Sequence, residues 1–384
     1  MRAIAVIGAN YGDEGKGRIV DACANPNTVV IRHNGGCQAG HTVVRDGKRH
    51  VFNQFGAGTF RKAQTYWGPE FVCNPITFRQ EYKALEQLKA APAIIYAHPN
   101  CRVTTPYDMI VNQQLELARG AGRHGSCGLG FHETVLRSSS HPLYLSQASD
   151  PFKVVRLLTN CRDYSHERLK SKPFWHGFES LDLATFYSNS LLNSYLTDLE
   201  FMLHRVVPTE PTFFKQFDSI IFEGAQGLGL DEFAQGFPHV THSRTGLPNV
   251  LPLAKELGVS ELEAIYVTRL YITRHGQGPL PHEHPTPIVE DKTNVEHAWQ
   301  GKFRTGDLHA SETSYRIKLD LNECSVSVPP SLAVTCIDHI KELPLEFKYA
   351  VGAINEIADA IGALTTYESN AEFGTLTTTR YYVR

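Results

Sequence analysis

The 384-residue chain is 42% apolar and 20% charged, ordinary globular usage that excludes a disordered or fibrous protein. With 37 Lys and Arg against 40 Asp and Glu the formal charge is −3, and no nucleic-acid partner is expected from it. No run approaches the roughly 18 apolar residues of a membrane span, no signal pattern opens the chain, and the eight cysteines include no Cys-x-x-Cys pair, so a reduced, cytoplasmic protein with no membrane partner is expected.

Ala3–Gly8 reads as a first core strand, and a helix follows Gly15. Val29–His33 is a second strand. Val43–Phe55 reads as a hairpin, with Asp46-Gly47 between its two extended runs. Further strands are expected at Ala93–His98, Ser219–Glu223, Ala264–Thr273 and Ser331–Asp338. Helices are expected at Tyr107–Arg119, Pro248–Gly258 and Ile354–Gly362, where the apolar spacing suits a period of about 3.6. The stretch 140–215, rich in Ser, Tyr, Phe and Leu, reads as a helical insertion with no chemical signature of its own. No repeat or low-complexity linker divides the chain. The expected fold is α/β, one domain over 1–384 with a large, mostly parallel central sheet flanked by helices and smaller helical insertions.

The first chemical feature is Gly8-Ala9-Asn10-Tyr11-Gly12-Asp13-Glu14-Gly15-Lys16-Gly17-Arg18, between that strand and helix. Glycines there let the backbone approach an oxyanion, and the N–H groups opening a helix favour negative charge. Lys16 adds a mobile cation. The spacing is neither the common phosphate loop nor the dinucleotide pattern. A tight turn with a solvated lysine is the plain alternative, and Asp13 argues against it. An acid beside a phosphate cradle makes sense if it holds Mg²⁺, removes a substrate proton, or does both. The second feature is Arg32–Val44, in which Gly35-Gly36 and Gly40-His41-Thr42 form a loop with free carbonyls and a histidine at its exit. His41 can donate a proton to a developing negative charge.

These residues resemble the signatures of the adenylosuccinate synthetase family. Its Gly-Asp-Glu-Gly-Lys-Gly-Lys/Arg is matched by Gly12–Arg18, and its Gly-Gly-x-Asn-Ala-Gly-His-Thr by Gly35–Thr42 with one change. Phe222–Gly227, followed by Asp231 and Phe237–Thr241, and then Thr273–Glu283, match further blocks in family order. The resemblance implies a P-loop-NTPase-like fold. It also implies a ligase that condenses a 6-oxopurine nucleotide with L-aspartate, uses a nucleoside triphosphate and Mg²⁺, and works as a homodimer.

Carried over by that resemblance, Asp13 would take the purine N1 proton and so make O6 a nucleophile toward the γ-phosphate. His41 would supply charge and a proton beside the transferring phosphoryl group. Asp13 and the Gly40 carbonyl would hold Mg²⁺, while Lys16 and the loop amides neutralise the phosphates. The donor nucleotide would lie against Gly12, Asp13, Glu14, Gly15, Lys16, Gly17, Gly40, His41, Thr42, Arg304, Cys336 and Asp338. Gln38, Ala39, Gln226 and Thr241 would meet the acceptor. Ser126 and Cys127, in the turn Gly125–Gly128, fall at a hydroxyl-bearing phosphate binder. Arg137 would reach the partner subunit's nucleotide, a plain surface arginine being the other reading.

The sequence also departs from the family. Gln38 stands where the family has Asn. The aspartate-binding loop becomes Ala298–Gly306, in which Arg304 can still fork onto a carboxylate while Lys302 offers only a point charge. The guanine-reading Thr-Lys-Leu-Asp becomes Thr335-Cys336-Ile337-Asp338, and Thr366–Asn370 replaces the turn over the base, so GTP and ATP stand level as donors. In length the chain resembles a compact archaeal and phage branch, some of whose members join aspartate to dGMP. Retention of Asp13 favours IMP as acceptor over dGMP. A nucleotide-binding paralogue without catalysis is the competing class, and it would need the cradle but neither Asp13 nor His41.

Overall fold

The computed structural model describes residues 1–172, 183–291, 299, 301–341, 349–369 and 376–379. β1 (Arg2–Gly8) is buried over its last four residues and lies at the middle of a large sheet. It pairs in parallel with Ser219–Gly227 on one side and Glu261–Arg269 on the other. Beyond Ser219–Gly227 follow β2 (Thr28–Arg32), Gln64–Trp67, Ile95–Ala97 and Val206–Pro208. Beyond Glu261–Arg269 follow Pro330–Thr335 and Thr366–Glu368. These nine described strands are parallel, and Thr377–Thr379 adds an antiparallel edge. Strands covered on both faces read as continuous apolar runs, which is how β1 and β2 stand in the sequence.

Alternate side chains of β1 enter two apolar layers. Ala3, Ala5 and Ile7 pack with Leu253 and Ile357, and Val6 packs with Val20, Phe52 and Phe78. From 140 to 215 the described residues form helices at Leu145–Ala148, Val154–Lys170, Leu183–Phe186 and Asn189–Leu203 before the edge strand Val206–Pro208. Leu158, Cys161, Tyr195 and Met202 join the layer of Val6 and Phe78, so this segment shares the core of the sheet. The hairpin consists of β3 (His41–Arg45) and β4 (Lys48–Phe52), with Asp46 and Gly47 at φ +49° and +72°.

Two expected strands end early. The run Ala264–Thr273 breaks at Leu270. Glu261–Arg269 stays in the sheet, while Tyr271–His275 pairs antiparallel with Phe303–Asp307. The run from Ser331 stops at Thr335, because Cys336 takes φ +56° and Ile337–Lys341 coils into a 3₁₀ turn. Both breaks fall at the carboxyl edge of the sheet, where open α/β folds place their ligands. Residues beyond Gly8, Arg32, Gly227, Thr335 and Glu368, together with Arg269 itself, line one cavity there.

Candidate active site

The cradle is a loop wound around its own acid. After β1 the chain passes through Gly12 (φ +94°), Asp13 (φ +61°) and Gly15 (φ +88°) into α1 (Lys16–Cys23). A left-handed conformation costs a residue with a Cβ about 1 kcal/mol or more, so Asp13 is held there by its surroundings. Arg269 Nε donates to the Asp13 carbonyl at 2.6 Å, Thr273 Oγ1 to that of Gly12 at 2.6 Å, and Thr335 Oγ1 to that of Glu14 at 2.6 Å. The Glu14 carboxylate accepts the backbone N–H groups of Asn10 (3.0 Å) and Gly12 (2.9 Å) and the Lys16 ammonium (2.9 Å). Lys16 is therefore buried and pinned, not the mobile cation that the sequence implied, and Glu14 acts as the loop's internal brace.

A second acid stands behind His41. Its Nδ1 lies 2.5 Å from Glu223 Oε1, and Glu223 Oε2 accepts the Ala57 N–H at 3.1 Å. Glu223 is fully buried. Burial alone would raise its pKa, yet His41 and Arg32, the latter 4.0 Å away, hold it low. An ionised Glu223 fixes the His41 proton on Nδ1 and leaves Nε2 for a substrate. Burial lowers the pKa of His41 itself, against the pull of Glu223. Asp13 shifts the other way. Burial raises its pKa, opposed by Arg269, His275 and Lys16. A carboxylate raised in this way is better matched to accepting a proton near neutral pH.

Asp13 and His41 face one cavity of about 500 Å³ together with Glu14, Gly15, Lys16, Gly17, Gln38, Ala39, Gly40, Thr42, Gln226, Cys336 and Asp338. A second cavity of about 160 Å³ is lined by Ser126, Cys127 and Thr241, and the two share Gln38, Gln226, Leu230 and His275. Asn112 Nδ2 donates to Ser126 Oγ at 2.7 Å, and burial pushes the Cys127 thiol up to about 11, so it stays neutral. The nest backbone of Gly12 lies behind the cavity wall, its carbonyl taken by Thr273.

Three expected site residues lie elsewhere. Arg137 is wholly buried within its own chain, with Nε and Nη2 at 2.8 and 2.9 Å from the Asp108 carboxylate and Nη1 donating to the His141 carbonyl. Its guanidinium is thus engaged within its own chain rather than standing as a surface arginine. Arg304 forks onto Glu283 (2.7 and 2.6 Å) and donates to the Gly276 and Gly278 carbonyls, lining neither cavity. Lys302 is exposed outside both, and Ala298 and Gln300 of the same loop lie outside the described residues. Reading by residue type alone could not see that Arg137 and Arg304 already had partners. Conversely, the role of Glu223 shows only in the fold, although one carboxylate closing the apolar run Ile220-Ile221-Phe222 is a signal in itself. Tyr11 likewise carries no motif signal in the sequence. The guanidinium groups of Arg274 and Arg316 lie over its ring, 5.5 and 5.1 Å from its centroid.

Mg²⁺ prefers hard oxygen donors and is commonly held by one or two carboxylates plus substrate phosphates. Asp13 offers such a carboxylate to the cavity, and Gly40 lies on the same wall, so the residues present fit the ion. Among the described residues no helix is long and apolar enough to cross a membrane.

The family model described as adenylosuccinate synthetase matches residues 5–320. The adenylosuccinate synthetase of Lawsonia intracellularis is 29% identical over 291 residues, which is 74% of this chain and 66% of the relative. That of Psychrobacter cryohalolentis is 30% identical over 295 residues, 73% and 65% of the two chains. The chain thus spans about two-thirds of the length of these curated relatives. The fully ligated adenylosuccinate synthetase of Plasmodium falciparum superposes with a TM-score of 0.70 at 16% identity, covering 96% of this chain and 97% of that one. A cyanophage S-2L succinoaminodeoxyadenylate synthetase bound to dGMP and dATP superposes with a TM-score of 0.60 at 16% identity, covering 97% and 93%. At that identity the superpositions establish the shared fold.

Proposed function

The chain belongs to the adenylosuccinate synthetase family, and from that premise we propose that it joins a 6-oxopurine nucleotide, IMP ahead of dGMP, to L-aspartate at the expense of GTP or ATP. The observation that carries this reading is the pairing of two groups in one cavity: Asp13, displayed from a left-handed turn with a raised pKa, and His41, oriented by a buried carboxylate.

In the first step Asp13 removes the N1 proton of the purine, and the electron pair moves onto O6. That oxygen attacks the γ-phosphorus, the bond to the β–γ bridging oxygen breaks, and the nucleoside diphosphate leaves. The His41 imidazole faces the transferring group, with Glu223 fixing which nitrogen carries the proton. In the second step the aspartate amine attacks C6, the C6–O6 bond breaks so that O6 leaves within the phosphate with the bonding pair, and the amine loses its proton. Mg²⁺, held by Asp13 and the Gly40 carbonyl with the phosphates completing its shell, would neutralise charge on the donor. The second cavity, with Ser126, Gln226 and Thr241, takes the acceptor nucleotide. The region of Cys336 and Asp338 takes the donor base. The protein works in the cytoplasm as a homodimer in this reading, and Arg137 plays no part across the interface.

The test is a four-way incubation of IMP or dGMP with GTP or ATP, in the presence of aspartate and Mg²⁺, followed by succino-nucleotide absorbance. Product from IMP is the expected outcome. Product from dGMP alone would move the acceptor assignment to the phage type, which the fold-level likeness to the dGMP-bound cyanophage enzyme also accommodates. No product from either, with phosphate released in the absence of aspartate, would overturn the ligase reading.

A further inference from the structure

The second cavity carries more histidines than phosphate-binding hydroxyls: His124, His132, His239 and His242 line it beside Ser126 and Thr241. The rings of His132 and His242 lie with their centroids 3.4 Å apart, inclined by 38°. Two imidazoles so close cannot both be charged without an anion between or beside them. His132 Nδ1 is buried and has no hydrogen-bond partner among the described residues. His239 Nδ1 sits 3.1 Å from the His124 carbonyl, with the two rings 6.1 Å apart.

Charged groups of both signs surround this pair, and the carboxylates among them are ion-paired. Arg119 and Glu116 come from the helix Pro106–Arg119, paired with each other, and Glu116 also accepts the Gly125 N–H. Glu133, next to His132, is held by Arg168 of the helix Val154–Lys170. Arg274 and His275 approach from the strand Tyr271–His275, and Arg274 spends its donors on three backbone carbonyls. Both carboxylates at the cavity are thus ion-paired, and Glu116 acts on His124 rather than on the His132–His242 pair. Burial and the neighbouring cations hold His132 low, at about 2, and His242 and His124 are lowered for the same reasons, burial first. What this surface offers is a closely stacked His132–His242 pair with one buried ring nitrogen, His132 Nδ1, that has no hydrogen-bond partner among the described residues.

We propose that the His132–His242 pair is a proton-loading subsite for the phosphate monoester of the acceptor nucleotide, so that the acceptor binds together with a proton. The proposal rests on the reading of this cavity as the acceptor site. A phosphate dianion supplies the charge that lets one imidazole protonate, and the imidazolium then donates to it. Affinity therefore falls as pH rises, by up to about tenfold per pH unit for one coupled proton.

Calorimetry of IMP binding to the full chain at pH 7.5, in two buffers of different ionisation enthalpy, tests this directly. At that pH the phosphate, with a second pKa of about 6, is already a dianion, so any proton uptake belongs to the protein. Net proton uptake is expected with IMP or dGMP and none with inosine. His242→Gln and His132→Gln should abolish the uptake and flatten the pH dependence of affinity. Imidazole ¹⁵N resonances of the unmodified protein give the same answer if a variant misfolds, since one of the pair should move to its cationic position on adding IMP. IMP binding without uptake, or uptake unchanged in both folded variants, overturns the proposal while leaving the acceptor reading intact. Failure of both nucleotides to bind a folded protein that still binds GTP or ATP removes that reading, and the proposal with it.

Discussion

Asp13 concentrates the site's chemistry in one residue. Its backbone needs a positive φ, its carbonyl is tied to Arg269, and its carboxylate is left for the substrate. Asn tolerates the left-handed region, so Asp13→Asn should fold normally, shown by an unchanged melting temperature, while turnover falls by about 10²–10⁴. The sign of its pH dependence follows from burial. A base must be ionised to act, and burial raises the pKa of Asp13. The acid limb of the kcat profile should therefore lie above the ordinary carboxylate range, with rate gained as pH rises through it. A limb at an ordinary carboxylate value would show that Asp13 is not the titrating group. Glu223 acts through His41. Glu223→Gln keeps the shape but removes the charge that orients the ring, and kcat should fall about a hundredfold or more with KM little changed. Equal losses in kcat and KM would point to a general packing role.

At the scale of elements, close approach decides the geometry. A Cβ on Gly17 would stand 2.8 Å from that of His41, so α1 can pack against the start of β3 only with glycine there. Gly17→Ala should displace His41, lower kcat, and cost about 1–3 kcal/mol in denaturant unfolding. Gly352, in the helix Ala350–Ile361, is the control. A Cβ there meets nothing within 4 Å, and Gly352→Ala should leave activity alone and stabilise by about 0.4–1 kcal/mol. Arg137 locks the helix Phe131–Ser138 onto Asp108, which in turn closes a capping box with Thr105. Arg137→Met strands a buried carboxylate and should cost about 3–5 kcal/mol of stability. The KM for the acceptor should stay unchanged in the protein that still folds. A raised KM with unchanged stability would restore Arg137 to the site.

For the whole molecule, the parallel sheet gathers residues far apart in sequence at one carboxyl edge, and two cavities meet there at Gln38, Gln226, Leu230 and His275. Each ligand at about a hundred times its Kd stabilises the fold by about 2.7 kcal/mol. If one ligand orders the shared wall for the other, IMP and the donor together should raise the melting temperature by more than the sum of their separate shifts. Simple additivity would show that the wall transmits nothing.

The cradle was legible in the sequence because it is local. Gly12–Arg18 carries its glycines, acid and lysine within seven residues, and a strand–loop–helix unit needs only neighbouring residues to form. The sheet was legible for a related reason, since the centres of doubly covered strands, such as Ala3–Gly8 and Val29–Ile31, are apolar throughout. What the sequence could not reveal was how each charge is paired. Lys16 reads as a free cation until Glu14 is seen to hold it, Arg304 as a carboxylate clamp until Glu283 occupies it, and Arg137 as a surface residue until Asp108 buries it. The orientation of His41 by Glu223, 182 positions away, and the facing of His132 and His242 are equally tertiary. An ionic side chain takes its role from the group that meets it, and that group is chosen by the packing of distant elements. Local pattern decided which elements form, and long-range contact decided which of their charges remain available to a substrate.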